Sequence, residues 1–110
     1  MAPSDPATVI CTYRVKADQE PAFVDLLRRH WPKLRELGMV SDTPSALFRG
    51  LDEQGRPYFI EIFDWKDADV PARAHEHPEV MAIWEPMDVL CESRDGAPNM
   101  EFPHVERVEL

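Results

Sequence analysis

Cysteine is nearly missing from this sequence. There are 2 in 110 residues, Cys11 and Cys91, far apart and in no CxxC pair. That usage argues against a disulfide and reads as two buried thiols in a reducing compartment. Basic charge is also in short supply, with 12 Lys and Arg against 21 Asp and Glu and a net charge of -9. Phosphate backbones are held by Lys and Arg, so nucleic acid and anionic membrane are not expected partners. No apolar run approaches the length of a membrane span. The opening "MAPSDPATVI" lacks the basic residues and apolar core of a signal peptide, and a cytoplasmic protein is expected. There is no phosphate loop, no G-x-S-x-G and no Cys/His pair at a nucleophile spacing, which removes P-loop and hydrolase chemistry.

What is present is the composition of one globular domain, 44% hydrophobic and 30% charged. Residues 1–7 read as a flexible tail and residues 8–110 as a single domain. "TVICTYRV" (8–15) is rich in β-branched and aromatic residues and predicts a strand. Asp18 is placed to cap a helix with Pro21 in its first turn. Phe23, Leu26, Leu27, Trp31, Leu34 and Leu37 follow at helical spacing, and Gly38 is placed to stop it. Pro32 predicts a kink. "SALFRGL" (45–51) and "YFIEIFDW" (58–65) predict two strands joined by a turn at "DEQGRP". Asp67 or Asp69 precedes a short helical segment. His77 is held out of the helical region by Pro78, where the next helix starts, with Val80, Ile83, Trp84, Met87 and Leu90 on one side. "SRDGAPNM" is a loop, and "EFPHVERVEL" predicts a last strand reaching Leu110.

Strand, helix, strand, strand, helix, strand is the split βαβ order of an α+β ferredoxin-like fold. It implies a four-stranded antiparallel sheet with strands one and three central and the helices on one face. The third strand carries Tyr58, Ile60, Ile62 and Asp64 on one face and Phe59, Glu61, Phe63 and Trp65 on the other. Both faces are mostly apolar, whereas a half-wet sheet alternates. Helices cover one face only, so a homodimer with sheet packed on sheet is expected, the terminal strand completing the interface.

The stretches "TVICTYRVKADQEPAFVDLLRRHW", "YFIEIFDWKD" and "ARAHEHPEVMAIWEPM", with the closing strand, resemble the dimeric α/β-barrel superfamily, and within it the antibiotic-biosynthesis-monooxygenase-like proteins. The resemblance implies a cofactor-independent monooxygenase or isomerase acting on a small aromatic or apolar molecule. The alternative is a non-catalytic dimeric small-ligand-binding or stress-associated protein. Oxygenases and haem degraders of the superfamily commonly rely on a sheet asparagine, whereas the single asparagine here, Asn99, lies in the last loop. The iron-binding histidine of the haem degraders aligns near Trp84 and Glu85, so haem degradation is not expected.

The resemblance also implies a cavity between sheet and helices. Two residues are candidates for acid–base catalysis. Glu61 interrupts an aromatic face, where an unpaired carboxylate is costly, so it is either ion-paired with a residue such as Arg14 or a base with raised pKa. His75 sits before the Pro78 break, near the expected mouth, and imidazole suits proton transfer at neutral pH. Tyr13, Trp65 and Trp84 are candidates for holding a flat ligand. His75 and His77 supply two ligands where zinc needs three or four, so no metal site is expected. His77 and Glu79 read as the cap and first turn of a helix. His30 and His104 read as surface or packing residues.

Overall fold

The structure is a computed structural model that describes residues 5–110. The part of the expected tail at residues 1–4 lies outside the described residues, and Ala7, its last member, already belongs to the first strand. The elements are β1 (Ala7–Tyr13), a 3-10 turn (Ala17–Gln19), α1 (Glu20–Glu36), β2 (Ala46–Leu51), β3 (Pro57–Trp65), α2 (Val70–Ala74), α3 (Pro78–Val89), β4 (Met100–Glu101) and β5 (His104–Val105). The antiparallel sheet runs β2-β3-β1-β4, with β5 also on β1. This is the ferredoxin-like order expected from the sequence, with β4 and β5 as two pieces of its last strand.

Period-two burial defines the layers. Ala7, Val9, Cys11 and Tyr13 of β1 are buried, as are Phe59, Glu61, Phe63 and Trp65 of β3, while the residues between them are half-buried. The register Cys11↔Glu61, with Tyr13↔Phe59 and Val9↔Phe63, puts these side chains on one face. Helix α1 covers that face through Phe23, Leu26, Leu27, His30 and Leu34. Phe23 meets Tyr13 at 5.1 Å and Phe59 at 5.5 Å between ring centroids. Val80, Ile83 and Met87 of α3 complete the core. The opposite face, with Ile10, Ile60 and Ile62 half-buried and Phe48 exposed, carries no helix among the described residues.

Local chemistry explains the ends of the helices. Pro21 occupies the first turn of α1, where its missing N–H breaks no bond, and Gly38, at φ +71°, supplies the left-handed residue beyond the last turn. Asp18 does not cap α1; it lies within the 3-10 turn, and Gln19 takes the cap position. His77 does cap α3, its Nδ1 accepting the Glu79 N–H at 3.2 Å. The chain stays helical through Pro32 and Pro86.

The last strand departs most from expectation. Pro103 has no N–H for the ladder, so β4 and β5 are two residues each, and residues 106–110 take no strand structure. Pro103 still accepts the Ile10 N–H at 3.0 Å, which holds the two pieces in line along β1. The loop before β4 holds a buried arginine. Arg94 donates to the Val15 carbonyl at 2.6 Å and the Pro57 carbonyl at 2.8 Å, and its Nε meets Glu92 at 2.8 Å.

Candidate functional site

Alternation along β3 points Glu61 into the layer between sheet and helices, where it is fully buried. The same parity sends Arg14 of the β1 side to the other face. Arg14 pairs there with Glu101 at 3.4 Å and donates to the Pro98 carbonyl. The expected Arg14–Glu61 pair therefore does not form. The Glu61 carboxylate is met instead by two rings: the Tyr13 hydroxyl donates to Oε1 at 2.7 Å, and His30 Nδ1 lies 2.8 Å from the same oxygen. Oε2 has no partner.

The chain of contacts continues. The Trp84 indole N–H donates to His30 Nε2 at 2.8 Å. An indole nitrogen is a donor only, so Nε2 must carry the lone pair and Nδ1 the hydrogen that Glu61 accepts. One tautomer satisfies both contacts. The result is a line of four side chains, Tyr13–Glu61–His30–Trp84, drawn from β1, β3, α1 and α3. Its carboxylate leaves a mark on neighbouring acids. Burial, then the Glu61 charge, pushes the Tyr13 phenol well above its ordinary range and does the same to the Cys11 thiol.

Beside this line lies a cavity of about 440 Å³. Val9, Cys11 and Tyr13 of β1, Phe63 and Trp65 of β3, and Met81, Trp84 and Met87 of α3 make much of its wall apolar, while Glu85 and Asp88 of α3 add two carboxylates to it. His30, His75 and His104 bring imidazoles to it, and Phe102 and Met100 close the side nearest β4. His75 ends α2 and packs edge-on against Trp84, the ring centroids 4.8 Å apart. Trp84 also meets Trp65 at 6.3 Å.

The structure thus brings Tyr13, Trp65, Trp84 and His75 to one cavity. Glu61 is not in its lining and touches it only through Tyr13 and His30. One reading of the sequence needs correction: His30 is both a wall residue of the cavity and the middle of the buried line. His104 is exposed, as expected, and also lines the cavity. His30 had a signal: it lies four after Leu26 and three after Leu27, at the centre of the apolar stripe of α1, so it had to be buried. A buried imidazole needs partners, and Glu61 was the unpaired buried group available. Among the described residues, no group of three His, Cys, Asp or Glu side chains converges as a metal site. His77 is committed to its cap.

No protein-family model matches the sequence, and no curated protein does. Solved structures do. A crystal structure of an antibiotic biosynthesis monooxygenase superposes with a TM-score of 0.70 at 14% identity, covering 94% of this chain and 99% of that one. SnoaB, a cofactor-independent oxygenase from Streptomyces nogalater, gives 0.67 at 19% identity, with 96% of each chain covered. A conserved protein of unknown function from Bacteroides thetaiotaomicron gives 0.67 at 14% identity over 94% of this chain and 99% of its own. The chain carries the ferredoxin-like α+β fold of the antibiotic-biosynthesis-monooxygenase-like proteins.

Proposed function

We propose that the protein is a cofactor-independent oxygenase acting on a small, flat, apolar molecule, and that it works as a homodimer. The observation that carries the reading is the apolar cavity of about 440 Å³ with a buried carboxylate wired to two of its wall rings. Its size falls in the ~300–1,000 Å³ range of small-molecule sites. The fold shared with an oxygenase that uses no cofactor supports the assignment. Tyr13, Trp65 and Trp84 hold the ring of the substrate. His75 at the cavity is an acid–base group, and Glu61 behind its wall acts through Tyr13 and His30, the two rings it is bonded to.

The chemistry is balanced without a further electron donor. Removal of a proton from a quinol leaves an electron-rich ring carbon. That carbon supplies the electron pair for a C–O bond to dioxygen, giving a hydroperoxide. Loss of water leaves one oxygen on carbon, with the ring oxidised and the second oxygen reduced. The same proton removal without dioxygen, followed by return of the proton to another carbon, is an isomerisation.

The test is oxygen uptake by the purified protein with a panel of naphthalene and anthracene quinols. Turnover is expected, falling at least tenfold in His75→Ala and in Glu61→Gln. One observation favours a second reading, a non-catalytic ligand-binding protein: Glu61 itself does not reach the cavity. Thermal stabilisation by the same aromatics without oxygen uptake selects that reading over the first.

A further inference from the structure

The acceptor nitrogen of His30 faces a donor that a ligand can replace. Its Nδ1–H is fixed on the Glu61 carboxylate at 2.8 Å, so its lone pair lies on Nε2. That lone pair is occupied by the Trp84 N–H at 2.8 Å. His30 and Trp84 both belong to the cavity wall. His30 is nearly buried, at 3% exposure, whereas Trp84 is only half-buried. Of the two, the tryptophan is the more exposed. An imidazole oriented by a buried carboxylate, its far nitrogen bonded to a second residue of the cavity wall, is the arrangement of a general base held in its reactive tautomer.

We infer that His30 Nε2 is the proton acceptor of this cavity, with Glu61 as its positioning residue and Trp84 as a cap that an acidic O–H displaces. The inference rests on the oxygenase reading and refines it, since it names the atom that takes the proton and the ligand class, phenols and enols. The ligand hydroxyl enters where the indole N–H was. Its O–H bond breaks, the proton passes to Nε2, and the electron pair stays on oxygen. The imidazolium so formed keeps its Nδ1–H bond to the Glu61 carboxylate, which balances the new charge inside the apolar layer. The indole N–H, released from Nε2, is left beside the phenolate oxygen and can donate to it. Tyr13, the other ring on Glu61 Oε1, keeps its proton, because burial and the carboxylate both hold it there.

4-Nitrophenol tests this without turnover, because its phenolate is coloured and its neutral form is not. Titrated into the wild-type protein, it is expected to bind with a several-fold higher phenolate fraction than in buffer at the same pH. His30→Asn is expected to abolish that enrichment. Glu61→Gln is expected to bring the bound phenolate fraction back to about its value in buffer while lowering binding less than that, a split that loss of packing alone does not produce. A wild-type protein that takes up 4-nitrophenol only as the neutral phenol, or not at all, overturns the inference. So does an enrichment unchanged in His30→Asn. Should His30→Asn not fold, nitrogen-15 NMR of the wild-type imidazoles decides. The free protein is expected to show His30 with its hydrogen on Nδ1, and the complex to show both nitrogens protonated. A hydrogen on Nε2 in the free protein overturns it. Phenolate enrichment without oxygen uptake from quinols keeps the base and sinks the oxygenase. Oxygen uptake undiminished in His30→Asn does the reverse.

Discussion

Single residues here are constrained by what surrounds a carboxylate in a dry layer. Glu61 Oε1 accepts from Tyr13 and faces the His30 N–H, and the buried acids around it hold their protons. This has a consequence at alkaline pH. Burial pushes the Cys91 thiol up to about 12 from 9.0, and Cys11 and Tyr13 are raised too. Between those values the folded chain binds protons that the unfolded chain has lost, so stability falls as pH rises. For Cys91 the contribution is complete below 9.0 and gone by about 12. The urea midpoint is expected to drop progressively above about pH 9, which denaturation curves at stepped pH will show. At this scale the sequence marked Glu61 as anomalous but paired it with the wrong residue. Arg14 is close in sequence to β1 yet has the opposite parity, and only the register Cys11↔Glu61 reveals that.

Elements meet at points their own sequences do not announce. The loop "SRDGAPNM" reads as a plain connection, yet its Arg94 is 5% exposed and ties the Val15 carbonyl to that of Pro57. It joins the end of β1 to the start of β3 through two charge-assisted bonds. Arg94→Ala leaves both carbonyls without that donor and is expected to cost about 3 kcal/mol, measured by chemical denaturation. The helices were far more legible. Pro21, Gly38, His77 and Pro78 act over one turn, so local rules reach them. The last strand was not, because the pull of "HVERVEL" toward β structure is opposed by Pro103, and the pairing with β1 ends at Val105.

The whole molecule presents one sheet face to its helices and leaves the other bare. Ile10, Ile60 and Ile62 stand there half-buried, with Phe48 at 56% exposure. We propose that a second copy covers this face, since an uncovered apolar sheet of this extent is a surface for association. Light scattering is expected to give twice the 12.7 kDa chain mass at micromolar concentration. Ile60→Lys, which sets a charge in the middle of the face, is expected to give a folded monomer with unchanged far-ultraviolet circular dichroism. A monomeric wild-type protein sinks the arrangement.

The strands of "YFIEIFDW" and "TVICTYRV", the helix of the Phe23–Leu34 stripe and the cap at His77 follow from the chain alone, because period-two and 3.6-residue patterns and capping act between near neighbours. They determine the ferredoxin-like order and place a lone carboxylate among aromatics. What the carboxylate does was decided only by tertiary structure. Tyr13, His30, Glu61 and Trp84 come from four elements, and their hydrogen bonds depend on strand register and on how α1 and α3 lie over the sheet. Those are long-range terms, set by packing the entire layer, and no stretch of sequence holds them.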